Sequence, residues 1–212
     1  YPFIHLIDDT GTAIEAAFLE LEPELWDPET RRLTIFFDPG RIKRGLLPND
    51  DLGLAIRKDR SYRLVIDREI ADAQGNPLTE PFSKAFRVGT DDRTSPDHTK
   101  WRLTAPESHS QVPILLDFSE PLDQALLMNM IEIRSKNGDT IYGEAIVANG
   151  EKQWQFKPNT PWESGQYEIR VNAALEDRAG NKLNRLFDRD MEKTDRSVEE
   201  LEKSFTIEFE IQ

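Results

Sequence analysis

The chain has 212 residues and no cysteine, and its 40 acidic against 27 basic side chains give a formal charge of −13. A surface of that sign repels nucleic-acid phosphates and anionic lipid headgroups; the missing thiols exclude disulfides, thiolate metal sites and cysteine nucleophiles; no apolar run nears the ~20 residues of a membrane-spanning helix. The length suits two cores of roughly 100 residues each, and 37% apolar with 32% charged residues fits small cores under a heavily solvated surface.

The first expected elements are strands at Pro2–Ile7 and Ala13–Leu21 about the turn Asp8-Asp9-Thr10-Gly11, then a hairpin turning near Asp27-Pro28-Glu29-Thr30. Leu33, Ile35 and Phe37 alternate into Asp38-Pro39, and Leu46-Leu47 lies where a helical turn is expected. Tyr62, Leu64 and Ile66 then occupy every second position, the pattern of one face of a half-buried strand. That strand runs into Asp72-Ala73-Gln74-Gly75-Asn76, where Gly75 can take a positive φ and Asp72 can accept from backbone N–H groups ahead of it. A strand carrying Phe86 and Val88 closes this half, and Gly89–Asp97 reads as a short linker.

The second half repeats the first. Tyr167, Ile169 and Val171 alternate into Asp177-Arg178-Ala179-Gly180-Asn181, so that Asp177 follows Asp72, and Tyr167 follows Tyr62, at a constant offset of 105. A looser match precedes it, with Ile114, Leu116 and Phe118 leading into Ser119-Glu120-Pro121 and then Leu126-Leu127. From Phe118 to Tyr167 is 49 residues, against 25 from Phe37 to Tyr62. The extra length holds three expected strands, Met130–Ser135, Thr140–Val147 and Gln153–Lys157, joined by hairpin-type turns at Lys136-Asn137-Gly138-Asp139 and Asn149-Gly150-Glu151. Beyond Asn181 an insertion at 184–203, with Val198 and Leu201, reads as a short amphipathic helix. Phe205, Ile207, Phe209 and Ile211 then form a strictly alternating final strand.

Four pieces in this order, Ile114-Leu115-Leu116-Asp117-Phe118-Ser119-Glu120-Pro121-Leu122-Asp123, Trp154-Gln155-Phe156-Lys157-Pro158, Gly165-Gln166-Tyr167 and Asp177-Arg178-Ala179-Gly180-Asn181, make residues 100–183 resemble a bacterial immunoglobulin-like domain of the kind found in surface-layer and other cell-envelope proteins. The first copy keeps the Tyr strand and the Asp-x-x-Gly-Asn turn but has Asp38-Pro39-Gly40 at the earlier turn and lacks the middle strands. The expected fold is all-β: two tandem immunoglobulin-like antiparallel β-sandwich domains, a divergent one over 1–91 and a second over 98–212 carrying the helical insertion. The resemblance implies a non-catalytic spacer, presenter or adhesive surface, located in the cell envelope, the periplasm or outside the cell. The start at Tyr1-Pro2, without an initiator Met, is what a trimmed or mature form would show.

The candidate chemistry is sparse. His5, His98 and His109 are too scattered for a metal motif, and Ser108-His109-Ser110 lacks the glycine pattern of a nucleophile elbow and reads as a solvated loop. Trp101, Trp154 and Trp162 fall in core patterns, leaving Trp26 as the exposed tryptophan. Acid pairs lie in expected loops, and Asp91, Asp92 and Asp97 in the linker are the best candidates for a calcium site. Between Arg41 and Arg63 seven cations (Arg41, Lys43, Arg44, Arg57, Lys58, Arg60 and Arg63) face three acids. This basic region is the candidate site for an anionic ligand or an acidic protein, with the 184–203 insertion as the other candidate recognition element. No cofactor and no nucleic-acid partner is expected; a protein or a cell-envelope component is.

Overall fold

Alternating apolar residues become antiparallel strands in both halves of the computed structural model, which describes residues 1–26, 31–43, 47–72, 74–187 and 203–212. The fold is mostly β, with antiparallel sheets in two groups consistent with two β-sandwich domains, and short helices only. Contacts divide the chain into two units, Tyr1–Asp91 and Asp92–Gln212. No described helix is long and apolar enough to cross a membrane.

The first unit is built on a three-stranded sheet in the order β1 (Ile4–Asp8), β4 (Ser61–Ile66), β5 (Phe82–Arg87). Its registers set Leu6 opposite Leu64 and Tyr62 opposite Phe86, and residues directly opposite share a face. That face meets a small core of Leu6, Ala17, Ala55 and Tyr62, with Phe18, Phe37 and Ile42 packed against it. A short pair, β2 (Leu25–Trp26) and β3 (Leu33–Thr34), and two helices, α1 (Pro39–Ile42) and α2 (Leu47–Leu52), complete the unit. Asp38 caps α1, its carboxylate accepting from the Gly40 N–H at 2.7 Å.

The expected strand at Ala13–Leu21 is replaced by two isolated bridges, Ile7 with Ala13 and Phe18 with Phe37. Ala16, at φ 46, turns the chain between them, and a left-handed residue cannot continue an extended run. Leu33, Ile35 and Phe37 likewise deliver only the two residues of β3 and the Phe37 bridge. The turn expected at Asp27–Thr30 lies outside the described residues, although the strands on either side of it do pair.

The second unit has two sheets. One runs β6 (Arg102–Thr104), β7 (Ile114–Asp117), β10 (Gln153–Pro158), β9 (Gly143–Ala148); the other runs β12 (Ser204–Ile211), β11 (Gly165–Asn172), β8 (Ile131–Ser135). Leu116 and Trp154 on one sheet and Tyr167, Ile169 and Val171 on the other bury between them, joined by Leu122, Trp162 and Leu175. Each large side chain so buried contributes on the order of 2 kcal/mol. A ring series ties the layers, with Trp154 stacked on Phe156 at 5.5 Å and Trp162 edge-on to Tyr167 at 5.6 Å. A one-turn helix, α3 (Gln124–Leu127), is capped by Asp123 and buries Leu127.

The three extra strands form where expected, but the first turn does not join a two-stranded ladder. Gly138, at φ +89, makes the tight turn, Arg134 bridges Thr140, and the chain then leaves β8 for the opposite sheet. Gly143 explains how it is accepted there: a Cβ would lie 2.2 Å from the Lys157 carbonyl oxygen, so only glycine lets β9 start against β10. The Asn149–Glu151 turn, by contrast, closes a true hairpin between β9 and β10.

Candidate functional site

The Asp-x-x-Gly-Asn turn of the second unit is knit by its aspartate. Asp177 Oδ1 accepts from the Ala179 N–H at 2.7 Å and the Asn181 N–H at 2.9 Å, and Oδ2 accepts from Asn181 Nδ2 at 2.9 Å. Gly180, at φ +84, supplies the left-handed step. Asn181 Nδ2 also donates to the Asp92 carbonyl at 3.2 Å, and Asn181 Oδ1 accepts from the Phe187 N–H at 3.1 Å. One amide side chain therefore holds three segments together.

This turn sits at the end of the sandwich where several loops converge. Leu122 donates its N–H to Glu151, and Asp123 to Glu176, both backbone to backbone. Arg178 reaches the Gly150 carbonyl at 3.2 Å and pairs with Glu151. The loop after β7 thereby brings Glu120 beside Asp177 and Asp92, with one oxygen of each carboxylate within 4.8 Å of the others. Asp177 is buried, Glu120 half-buried and Asp92 exposed.

Three acids so close cannot all hold a charge without strain on the group least compensated. Glu120 carries it: burial first, then the charges of Asp177 and Asp92, push its carboxyl above the ordinary range, against Lys100 and Lys152. Glu176, one residue before Asp177, is also raised, again chiefly by burial, despite Lys182 at 3.5 Å. The oxygens could ligate a hard divalent cation or share a proton. Asp177 already accepts three N–H bonds, so its carboxylate serves first to fasten the turn.

Of the acids singled out from the sequence, only Asp92 joins this corner. Asp97 caps the short 3-10 helix His98–Lys100, accepting from the Thr99 N–H at 3.1 Å and the Thr99 hydroxyl at 2.6 Å. Those bonds, with Lys100 at 3.1 Å, hold it down at about 2. Asp91 falls in the first unit. Glu120 and Asp177 were visible in the sequence as turn landmarks, yet nothing in their spacing says that the two turns share one end of a sandwich.

Among the described residues, the cations of the basic region have different surroundings. Arg41 is 3% exposed; its Nε donates to the Gly53 carbonyl at 2.9 Å and its guanidinium reaches the Glu15 carbonyl, so it ties the helical segment to the chain after β1. Arg60 pairs with Asp9. Arg57 and Lys58 are exposed in the approach to β4, where Tyr62 Oη accepts from the Arg57 N–H at 2.9 Å, and Arg63 stands on the outer face of β4. Lys43 is half-buried after α1, and Arg44 lies outside the described residues. So do Leu46 and residues 188–202, which hold the helix expected in the insertion. Phe187, the last described residue before them, packs against Gly180. Trp26 is 46% exposed, its Nε1 bonded to Glu24 at 2.9 Å.

The repeat's tyrosines prove to be hydrogen-bonded corners. Tyr167 Oη donates to the Glu163 carbonyl at 2.9 Å, four residues upstream on the approach to β11, as Tyr62 bonds upstream to Arg57. A tyrosine corner of this kind recurs in immunoglobulin-like sandwiches.

No curated protein matches the chain. Residues 93–192, however, match the family described as bacterial Ig-like domain, a family typical of surface proteins and usually non-catalytic. The match contains both sheets except β12 and every residue of the carboxylate corner but Asp92. Residues 93–192 are a bacterial Ig-like domain.

Proposed function

We propose that the chain is a non-catalytic structural or presenting module of a bacterial cell-envelope or secreted protein. The observation that carries this reading is the second unit's continuous core, in which Ile114, Leu116, Trp154, Trp162, Ile169 and Val171 close the space between two sheets. Such a body suits transmitting position rather than chemistry: its described core is filled by large side chains and its polar corner fastens loops. The family's occurrence on surface proteins supports the location.

The test is fractionation of bacteria that produce the chain from its native gene, probed with an antibody against the second unit. Recovery in the periplasmic, envelope or medium fraction is the expected result. Recovery with the cytosolic proteins of intact, unlysed cells would overturn the reading.

A further inference from the structure

Among the described residues β12 is the longest edge strand, eight residues hydrogen-bonded on one side only. Its ladder to β11 starts with the Ala173 N–H donating to the Lys203 carbonyl at 3.0 Å. In an antiparallel register the directly opposite pairs bond alternately, so Phe205, Ile207 and Phe209 turn their backbone groups towards β11. Ser204, Thr206, Glu208 and Glu210 turn theirs to the free edge, and among the described residues nothing bonds there until the Gln212 carbonyl accepts from Ser108.

Edges of this length are normally blunted by lysine, proline or a bulge. Three other edges show such devices: the chain at Thr12–Ile14 bonds to β1, Ile141 bonds to β8, and β5 carries Lys84 and Arg87. β12 reads Ser-Phe-Thr-Ile-Glu-Phe-Glu-Ile, with no lysine, proline or bulge, and its only edge charges are the acids Glu208 and Glu210. Its inward side chains Phe205, Ile207 and Phe209 remain only half-buried, whereas Tyr167, Ile169 and Val171 beside them on β11 are buried. The apolar layer thus continues up to the open edge.

The outer face sets the charge of what fits. Glu208 lies directly opposite Glu168, which pairs with Arg170 at 3.0 Å, and no described cation pairs with Glu208 or Glu210. A groove of about 440 Å³ runs along this face, lined among others by Lys136, Gln166, Glu168, Glu208 and Glu210. Lys136 is held by Gln166 at 2.6 Å. A second copy is a poor occupant. Antiparallel pairing of two β12 strands with their apolar faces on one side sets Glu208 across from Glu208, Glu210 or Thr206, none of them cationic.

From these features we propose that β12 is a strand-addition site for an extended segment of a partner protein, one that alternates Lys or Arg with Val, Ile or Leu. Its backbone completes the ladder at Thr206, Glu208 and Glu210. Its apolar residues cover Phe205, Ile207 and Phe209, and its cations meet Glu208 and Glu210. The site depends on the fold and holds wherever the module is located.

The test uses the full chain, 15N-labelled, with three capped synthetic peptides as long as β12: alternating Val and Lys, alternating Val and Glu, and the Val-Lys peptide N-methylated at every second amide. The Val-Lys peptide is expected to slow amide exchange at Thr206, Glu208 and Glu210, and to bind about tenfold more tightly than the Val-Glu peptide, which corresponds to two cross-strand ion pairs. Exchanging both acids, Glu208→Lys with Glu210→Lys, is expected to reverse that preference. Thr206→Pro removes an outward N–H while leaving the β11 ladder intact, and is expected to weaken binding about tenfold without lowering the Tm. Equal binding of the Val-Lys and Val-Glu peptides, full affinity of the N-methylated peptide, or no protection at millimolar Val-Lys peptide would each overturn the proposal. So would protection of the same amides by dimerisation of the chain in sedimentation, or peptide binding that appears only after deletion of residues 188–202.

Discussion

The two Asp-x-x-Gly-Asn turns have the same internal geometry and opposite surroundings. Asp72 accepts from the Gln74 N–H at 2.9 Å and the Asn76 N–H at 2.8 Å, and Gly75 sits at φ +84, the same angle as Gly180. Yet Asp72 is exposed, and its hydrogen bonds, that from the Asn76 side chain first, lower its pKa. Asp177 is 4% exposed and presses against two other acids. Local hydrogen bonding reproduces the turn wherever the motif occurs, because every partner lies within four residues. Whether the turn becomes a corner depends on what the rest of the domain packs against it.

The largest difference should appear on removing each aspartate. Asp177→Ala strands the buried N–H of Asn181 and breaks the part-buried bond from Ala179, and should destabilise the second unit by about 2 kcal/mol. Asp72→Ala leaves its N–H groups to water and should cost the first unit far less. Urea unfolding followed at Trp154 and Trp162 for one unit and at Trp26 for the other separates them; equal losses would break the comparison.

The first unit's own buried polar anchor is Arg41. Arg41→Met keeps the volume but orphans the Gly53 and Glu15 carbonyls, and should cost about 2 kcal/mol in the first unit with the second unit's transition unmoved. A variant as stable as the parent would mean that those carbonyls find water. Smaller again, Tyr167→Phe and Tyr62→Phe each remove one corner hydrogen bond and should lower the stability of their own unit by about 1 kcal/mol.

The smallest effect, and the one with an unusual sign, belongs to Glu120. Its pKa is raised on folding, so its contribution is complete below the ordinary carboxylate value and is lost as pH rises through the folded value. Glu120→Gln should therefore stabilise the second unit by about 0.5 kcal/mol at pH 7, after screening, and the gain should vanish as pH falls to about 4.5. Asp8 and Asp72, both lowered, run the other way: their support of the first unit is present above the ordinary aspartate value and lost in acid. Asp97 of the second unit, held at about 2, runs the same way, so the contrast lies above pH 4.5: a Glu120→Gln gain that persists unchanged from pH 7 to 4.5 in melting curves would contradict this.

Much of the architecture is legible from side-chain alternation. Tyr62, Leu64 and Ile66, and Tyr167, Ile169 and Val171, announce one-sided strands, and the glycine-bearing turns announce reversals, because both signals depend only on neighbouring residues. Alternation does not say which sheet a strand joins. Thr140–Val147 was expected to follow β8 through a hairpin, and the decision to cross to the other sheet rests on a fit between Gly143 and the Lys157 backbone that no local pattern records.

The site was less legible than the fold. Seven cations between Arg41 and Arg63 look like one patch when written in a line, but folding buries Arg41, pairs Arg60 with Asp9 and sets Arg63 on the face of a strand. Asp91, Asp92 and Asp97 look like one acidic linker, yet Asp97 caps a helical turn, while Asp92 meets Glu120 and Asp177 from distant loops.

By itself, then, the sequence determined the repeat, the antiparallel β character and the hydrogen bonding inside each turn, since all of these arise from contacts over a few residues. Only the tertiary structure decided which charges converge, which cation is buried and which strand is left with an open edge. Those outcomes depend on the order in which strands enter the two sheets, and that order is fixed by packing between residues far apart in the chain.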